Sequence, residues 1–111
     1  MDHNLTNIRQ RTIEKAIEFI QAQRAYIKAT GPDSRVSKTA RERAAEEFLK
    51  AAALYETALW ELHQYLLEME PSEAITAEIE RTERLIDALD KEKVVGSKLI
   101  THHSSGQRER R

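Results

Sequence analysis

The 111-residue chain is the size of one ordinary domain, 40% hydrophobic and 33% charged, and its 3 Gly and 2 Pro are too few for a loop-rich or collagen-like polymer. The absence of Cys excludes disulfides, thiolate metal sites and Cys nucleophiles, and no apolar run approaches the ~20 residues of a membrane span. A net charge of −1 excludes a uniformly basic nucleic-acid binder, and the start Met1-Asp2-His3-Asn4 lacks a basic-then-apolar signal, so a cytoplasmic, all-α domain without membrane attachment is expected.

The first predicted helix runs from about Leu5 to Ala29. Ile8, Ile13, Ala16, Ile17, Ile20 and Ile27 fall in one broad sector at 100° per residue, with Phe19 and Tyr26 on its edge. Gln10, Glu14, Glu18, Gln21 and Lys28 lie opposite, so the isoleucines are expected to face the core. Asn4 or Thr6 is placed to cap the start. Thr30-Gly31-Pro32-Asp33 ends the helix, with Gly31 suited to a left-handed residue and Pro32 unable to continue the ladder.

The second predicted helix spans about Ser37 to Glu70, without Gly or Pro and rich in Ala, Leu, Glu, Lys and Arg. Thr39 to Glu42 fits a capping box, and Ser37 is a competing cap. A heptad seam is written through Ala45, Phe48, Ala52, Tyr55, Leu59, Leu62, Leu66 and Met69. Beside it Ala44, Ala51 and Ala58 recur every seven residues, a small ridge that lets a neighbouring helix approach closely. On the other flank lie Leu49, Ala53, Trp60 and Leu67. Apolar surface over more than half the circumference requires neighbours on at least two sides.

The third predicted helix opens at Pro71-Ser72-Glu73, with Ser72 as cap. Its stripe is Ile75, Ile79, Thr82, Ile86 and Leu89, extendable through Lys93 and Gly96 to Ile100, although Gly96 costs ~1 kcal/mol inside a helix. Residues 101–111 carry almost no apolar side chain and read as a mobile polar and basic tail after a single helical domain of residues 1–100.

The tight breaks at Gly31-Pro32 and Pro71 make an antiparallel three-helix bundle with a long central helix. At ~1.5 Å per residue that helix overhangs its neighbours by ~15 Å unless the third continues to Ile100. Long apolar faces on so small a chain point to a homodimer, with Leu49, Ala53, Trp60 and Leu67 as the interface.

The charge is unevenly spread. Residues 1–43 carry 9 bases against 5 acids, residues 44–95 carry 5 against 13, and residues 96–111 carry 4 against 1. No base occurs between Ala51 and Glu80. This reads as a solvated acidic face or a docking surface for a basic partner. Arg35, Lys38, Arg41 and Arg43, at the start of the second helix, are the candidates for phosphate contact.

Enzyme signatures are not met. The three glycines are scattered, H-E-x-x-H is absent, and the Trp60 to His63 spacing lacks the Glu-x-x-His of a bundle di-iron site. Glu70-Pro71-Ser72-Glu73 followed by Asp87-Ala88-Leu89-Asp90 resembles the metal-binding carboxylates of the all-helical MazG-type nucleotide pyrophosphohydrolases. In this chain Glu73 and Asp87 fall on one helix, ~21 Å apart, and cannot share an ion. No catalytic, cofactor-binding or metal residue is assigned. His63 reads as a hydrogen-bonded residue at the seam's margin, near Glu56 and Glu70. The sequence favours a non-enzymatic protein–protein interaction module, with a nucleic-acid-associated regulator as the alternative.

Overall fold

The computed structural model describes the backbone of residues 3–32 and 35–108 and the side chains as far as Lys93. Three helices follow one another: α1 (His3–Thr30), α2 (Lys38–Leu67) and α3 (Glu73–Arg108). α2 is central in the packing but not the longest, with 30 residues against 36 in α3. It stops at Leu67, where the Glu68 N–H turns back to the Tyr65 carbonyl and the Met69 N–H to the Leu66 carbonyl, each at 3.2 Å. α3 passes through Gly96 and onward. The central helix therefore does not overhang its neighbours as its sequence length suggests. Residues 101–108, expected in the tail, are helical backbone, and 109–111 lie outside the described residues.

The caps follow from local chemistry. Ser37, in an extended conformation, accepts from the Ala40 N–H at 3.1 Å, and so takes the place of the competing Thr39 box. Ser72 accepts from the Ile75 N–H at 3.1 Å and starts α3. Gly31 does not take the left-handed conformation its position suggests, because no described glycine has a positive φ. Its lack of a side chain serves a close approach instead, since a Cβ there would sit 3.3 Å from the Ile27 carbonyl oxygen.

α2 packs on both other helices, whereas the backbones of α1 and α3 do not come within 8 Å of each other among the described residues. The heptad seam of α2 is buried along its length: Ala45, Phe48, Ala52, Leu59, Leu62 and Leu66 are inside, with Tyr55 and Met69 half-buried. One core cluster joins Phe19, Phe48, Ala52, Leu59, Ile86 and Leu89. A second, around Leu5, Leu62 and Leu66 with Ile75 and Ile79, closes the end near the α2–α3 turn. The stripe of α3 is also as the periodicity places it, with Thr82, Ile86 and Leu89 buried and Ile75 and Ile79 half-buried.

α1 is rotated from its expected phase. Ile13, Ile17, Ile20 and Ile27 are 53%, 50%, 44% and 60% exposed, while Leu5, Thr12, Phe19 and Ala29 are buried. The aromatic side chains decide the rotation. Phe19 lies 5.5 Å from Phe48 and 5.6 Å from Tyr55, ring centre to ring centre, and Tyr26 stacks on Phe48 at 4.8 Å. Aromatic rings bury more area each than isoleucine and add ring–ring attraction. Thr12 continues the same row. Its hydroxyl bonds the Ile8 carbonyl at 2.8 Å, so it enters the core satisfied, and it lies 3.4 Å from the Ala58 carbonyl. Ala58, the last of the α2 alanine row, is thus where α1 approaches closely.

Removing a core side chain tests this phase. Leu59→Ala and Leu62→Ala should each cost ~2–5 kcal/mol in urea unfolding. Leu54→Ala, at a position 45% exposed, should cost under ~1 kcal/mol. Equal losses would refute the helical phase of α2.

Candidate interaction surfaces

Among the described residues, two apolar surfaces remain uncovered. The first is the flank of α2 beside α3. Leu49 is turned partly inward and packs on the core, so the expected interface of Leu49, Ala53, Trp60 and Leu67 presents three exposed members. Trp60 is 46% exposed and Leu67 53%. The Trp60 ring stands edge-on to His63, 5.3 Å between centres. His63 Nε2 lies 3.0 Å from Glu83 Oε2 of α3, rather than bonding Glu56 of its own helix or Glu70 of the following turn. Its buried Nδ1 has no hydrogen-bond partner. Trp60 is therefore held by a ring that α3 itself orients.

The second surface is the open side between α1 and α3, which sequence periodicity assigned to the core. A groove of about 230 Å³ is lined by Ala16, Phe19, Ile20, Tyr55, Leu85 and Leu89. Leu85 is 46% exposed on its α3 rim, and the four isoleucines of α1 continue the apolar surface outward. At one end the helices are tied by Arg9, whose Nε donates to Glu78 at 2.9 Å. The signal that could have found this face was already in the sequence. Thr12, Phe19 and Tyr26 form a row seven apart, and so do Ile13, Ile20 and Ile27. Only the larger rings decide which row is inside.

The charged candidates are all exposed but are not gathered on one face. Lys38 and Arg41 are a helical turn apart, Arg43 is two residues beyond Arg41 and so projects to another side, and Arg35 lies in the preceding loop. Lys38 is 4.0 Å from Glu42. The acidic middle of the chain is partly spent internally: Glu78 takes Arg9, Glu61 takes Arg11, and Glu56 takes Lys93. No group of three or more His, Asp or Glu side chains among the described residues is placed to hold a metal ion. Glu73 and Asp87 both lie on α3, separated along its axis. No described helix is long and apolar enough to cross a membrane. No protein-family model, curated protein or solved structure matches the chain.

One ionic contact has a clear pH signature. Lys93 Nζ donates to Glu56 at 2.6 Å where both are partly buried. The Glu56 carboxyl is held below its usual 4.5 by a hydrogen bond from Asp90 and then by Lys93. Asp90 is correspondingly raised above its usual 3.8, first through that same hydrogen bond to Glu56. A lowered carboxyl stabilises the fold above its unfolded value and loses that contribution as pH falls through the folded one. Lys93→Met should therefore cost ~0.5–1 kcal/mol at neutral pH. The penalty should begin to shrink as pH drops below the ordinary value of 4.5 and be lost as it passes through the lower value of Glu56 in the fold. Urea unfolding of both proteins from pH 3 to 7 checks this, and a pH-independent penalty would refute it.

Proposed function

We propose that the chain is a non-enzymatic protein–protein interaction module that works as a homodimer and binds a further protein through the Trp60 flank of α2. The observation that carries the reading is apolar surface left outside a core that is already complete. Trp60 and Leu67 stay exposed although the α2 seam and the α3 stripe are fully used. Tryptophan fixed by neighbouring side chains is a common centre of binding energy, because a rigid, large ring loses little entropy on contact. The orientation of Trp60 by His63 and Glu83 supplies that rigidity.

The rival reading is a nucleic-acid-associated regulator using Arg35, Lys38, Arg41 and Arg43. Its support is their shared exposure near the N-terminus of α2, where backbone N–H groups also favour phosphate. Their dispersal around the helix and the acidic middle of the chain weigh against a broad duplex footprint.

Affinity purification from the native host, with and without nuclease, separates the two. A protein partner should be retained by the wild type and lost with Trp60→Glu, which places a charge in the contact while leaving circular dichroism unchanged. Association that disappears with nuclease, and with alanine at the four basic positions, would overturn the interaction reading. Nucleic-acid affinity would then fall with salt at a log–log slope of about −0.9 per duplex phosphate contacted.

A further inference from the structure

We propose that the exposed isoleucine face of α1 is the self-association surface, pairing antiparallel with α1 of a second copy about a two-fold axis at Ile20–Gln21. The proposal rests on the homodimeric reading above and moves the dimer contact from the α2 flank to α1.

The exposed residues of α1 are in register for a helix partner. Ile13, Ile17, Ile20, Arg24 and Ile27 recur at steps of four and three, the spacing of a coiled-coil seam. From Ile13 to Ile27 the stripe runs ~21 Å. It is bordered on the α3 side by the groove rimmed with Ala16, Leu85 and Ala88, so a second copy meets a surface built from two helices.

The charges identify the occupant. α1 carries seven Lys, Arg or Glu residues. Arg9 pairs with Glu78, Arg11 with Glu61, and Lys15 with Glu18, all within the chain. Among the described residues, Glu14, Arg24 and Lys28 have no ion-pair partner. Arg24 interrupts the isoleucine seam, and Glu14 and Lys28, expected opposite the isoleucines, instead lie beside it, each one position past Ile13 and Ile27. Glu14, Gln21 and Lys28 form a row seven apart, one position beyond the row Ile13, Ile20 and Ile27. The apolar row is centred on Ile20 and the charged row on Gln21, so both share nearly one midpoint. An antiparallel partner of identical sequence sets Glu14 opposite Lys28, Gln21 opposite Gln21, and Lys28 opposite Glu14. Arg24, one turn before Lys28, approaches the same glutamate. A parallel partner would put the two copies of this row on opposite sides of the seam, where Glu14 and Lys28 do not meet. A closed two-fold contact requires a self-complementary patch, and this row is one.

Sedimentation equilibrium on the purified full-length chain, with circular dichroism as a folding control, tests the proposal. The wild type should dimerise in the micromolar range. Ile20→Glu, at a site already exposed in the monomer, should weaken the dimer at least ~100-fold without loss of helicity. Glu14→Lys should weaken it about tenfold, and the double variant Glu14→Lys/Lys28→Glu should restore it, because the swap keeps the opposed signs. The chain has no native cysteine. Gln21→Cys should therefore oxidise to a covalent dimer and Gln10→Cys should not, whereas a parallel pair would cross-link at Gln10→Cys, which continues the seam, and not at Gln21→Cys, which flanks it. A monomeric wild type, a dimer indifferent to Ile20→Glu, or a dimer lost with Trp60→Glu instead would each overturn the proposal. Nuclease-resistant, Trp60-dependent partner capture by a monomeric chain would overturn it while leaving the interaction reading standing. Loss of that capture in a chain that still dimerises through Ile20 would do the reverse.

Discussion

A thirty-residue helix that is apolar around more than half its girth has no stable place at the edge of a fold, and α2 is such a helix. Its two apolar sides are chemically different, which is how it sorts its neighbours. The side bearing Phe48, Tyr55 and Ala58 meets the aromatic row and Thr12 of α1. The side bearing Glu56 and His63 meets Lys93 and Glu83 of α3. With α2 filling the middle, α1 and α3 are held apart, and the groove between them follows from that placement rather than from any feature of its own.

The uneven charge along the chain has a structural use. Bases from the N-terminal third reach acids in the base-free stretch from Ala51 to Glu80. Arg9 and Arg11, two positions apart and so nearly opposite on α1, grip different helices: Arg9 holds α3 through Glu78 and Arg11 holds α2 through Glu61. Exposed pairs add little stability individually, ~0–1 kcal/mol. Their worth here is directional. A rotation of α1 that buried the isoleucines would pull both arginines away from their carboxylates, so the pairs and the aromatic row favour the same phase.

Helix positions, the α2 seam, the α3 stripe and the two serine caps were legible in the sequence because each depends on local spacing or local hydrogen bonding. The phase of α1 was not. Counting apolar residues weights isoleucine and phenylalanine equally, whereas packing weights them by area and shape, and Thr12 counted as polar although its hydroxyl is satisfied by Ile8 before it meets the core. The Trp60 flank was readable as a stripe, but the inward turn of Leu49 depends on where α3 lies. The partner of His63 was hidden for the same reason: Glu83 is twenty residues away and meets it only across the helix pair.

The order of contacts also bears on how the chain reaches this state. Each close backbone contact among the described helices joins neighbours in sequence, α1 with α2 and α2 with α3, and α1 meets α3 through side chains such as Arg9 and Glu78. Neither interface needs the other to close its loop, so the molecule is two helical hairpins sharing one arm. Loop-closure entropy for such pairs is small, and topologies of this kind fold in microseconds to milliseconds. Either hairpin is able to form first and offer α2's remaining side as a template for the last helix. During that interval the nascent hairpin of α1 and α2 exposes the same isoleucines that the finished protein exposes. Where that hairpin forms first, their exposure precedes the docking of α3.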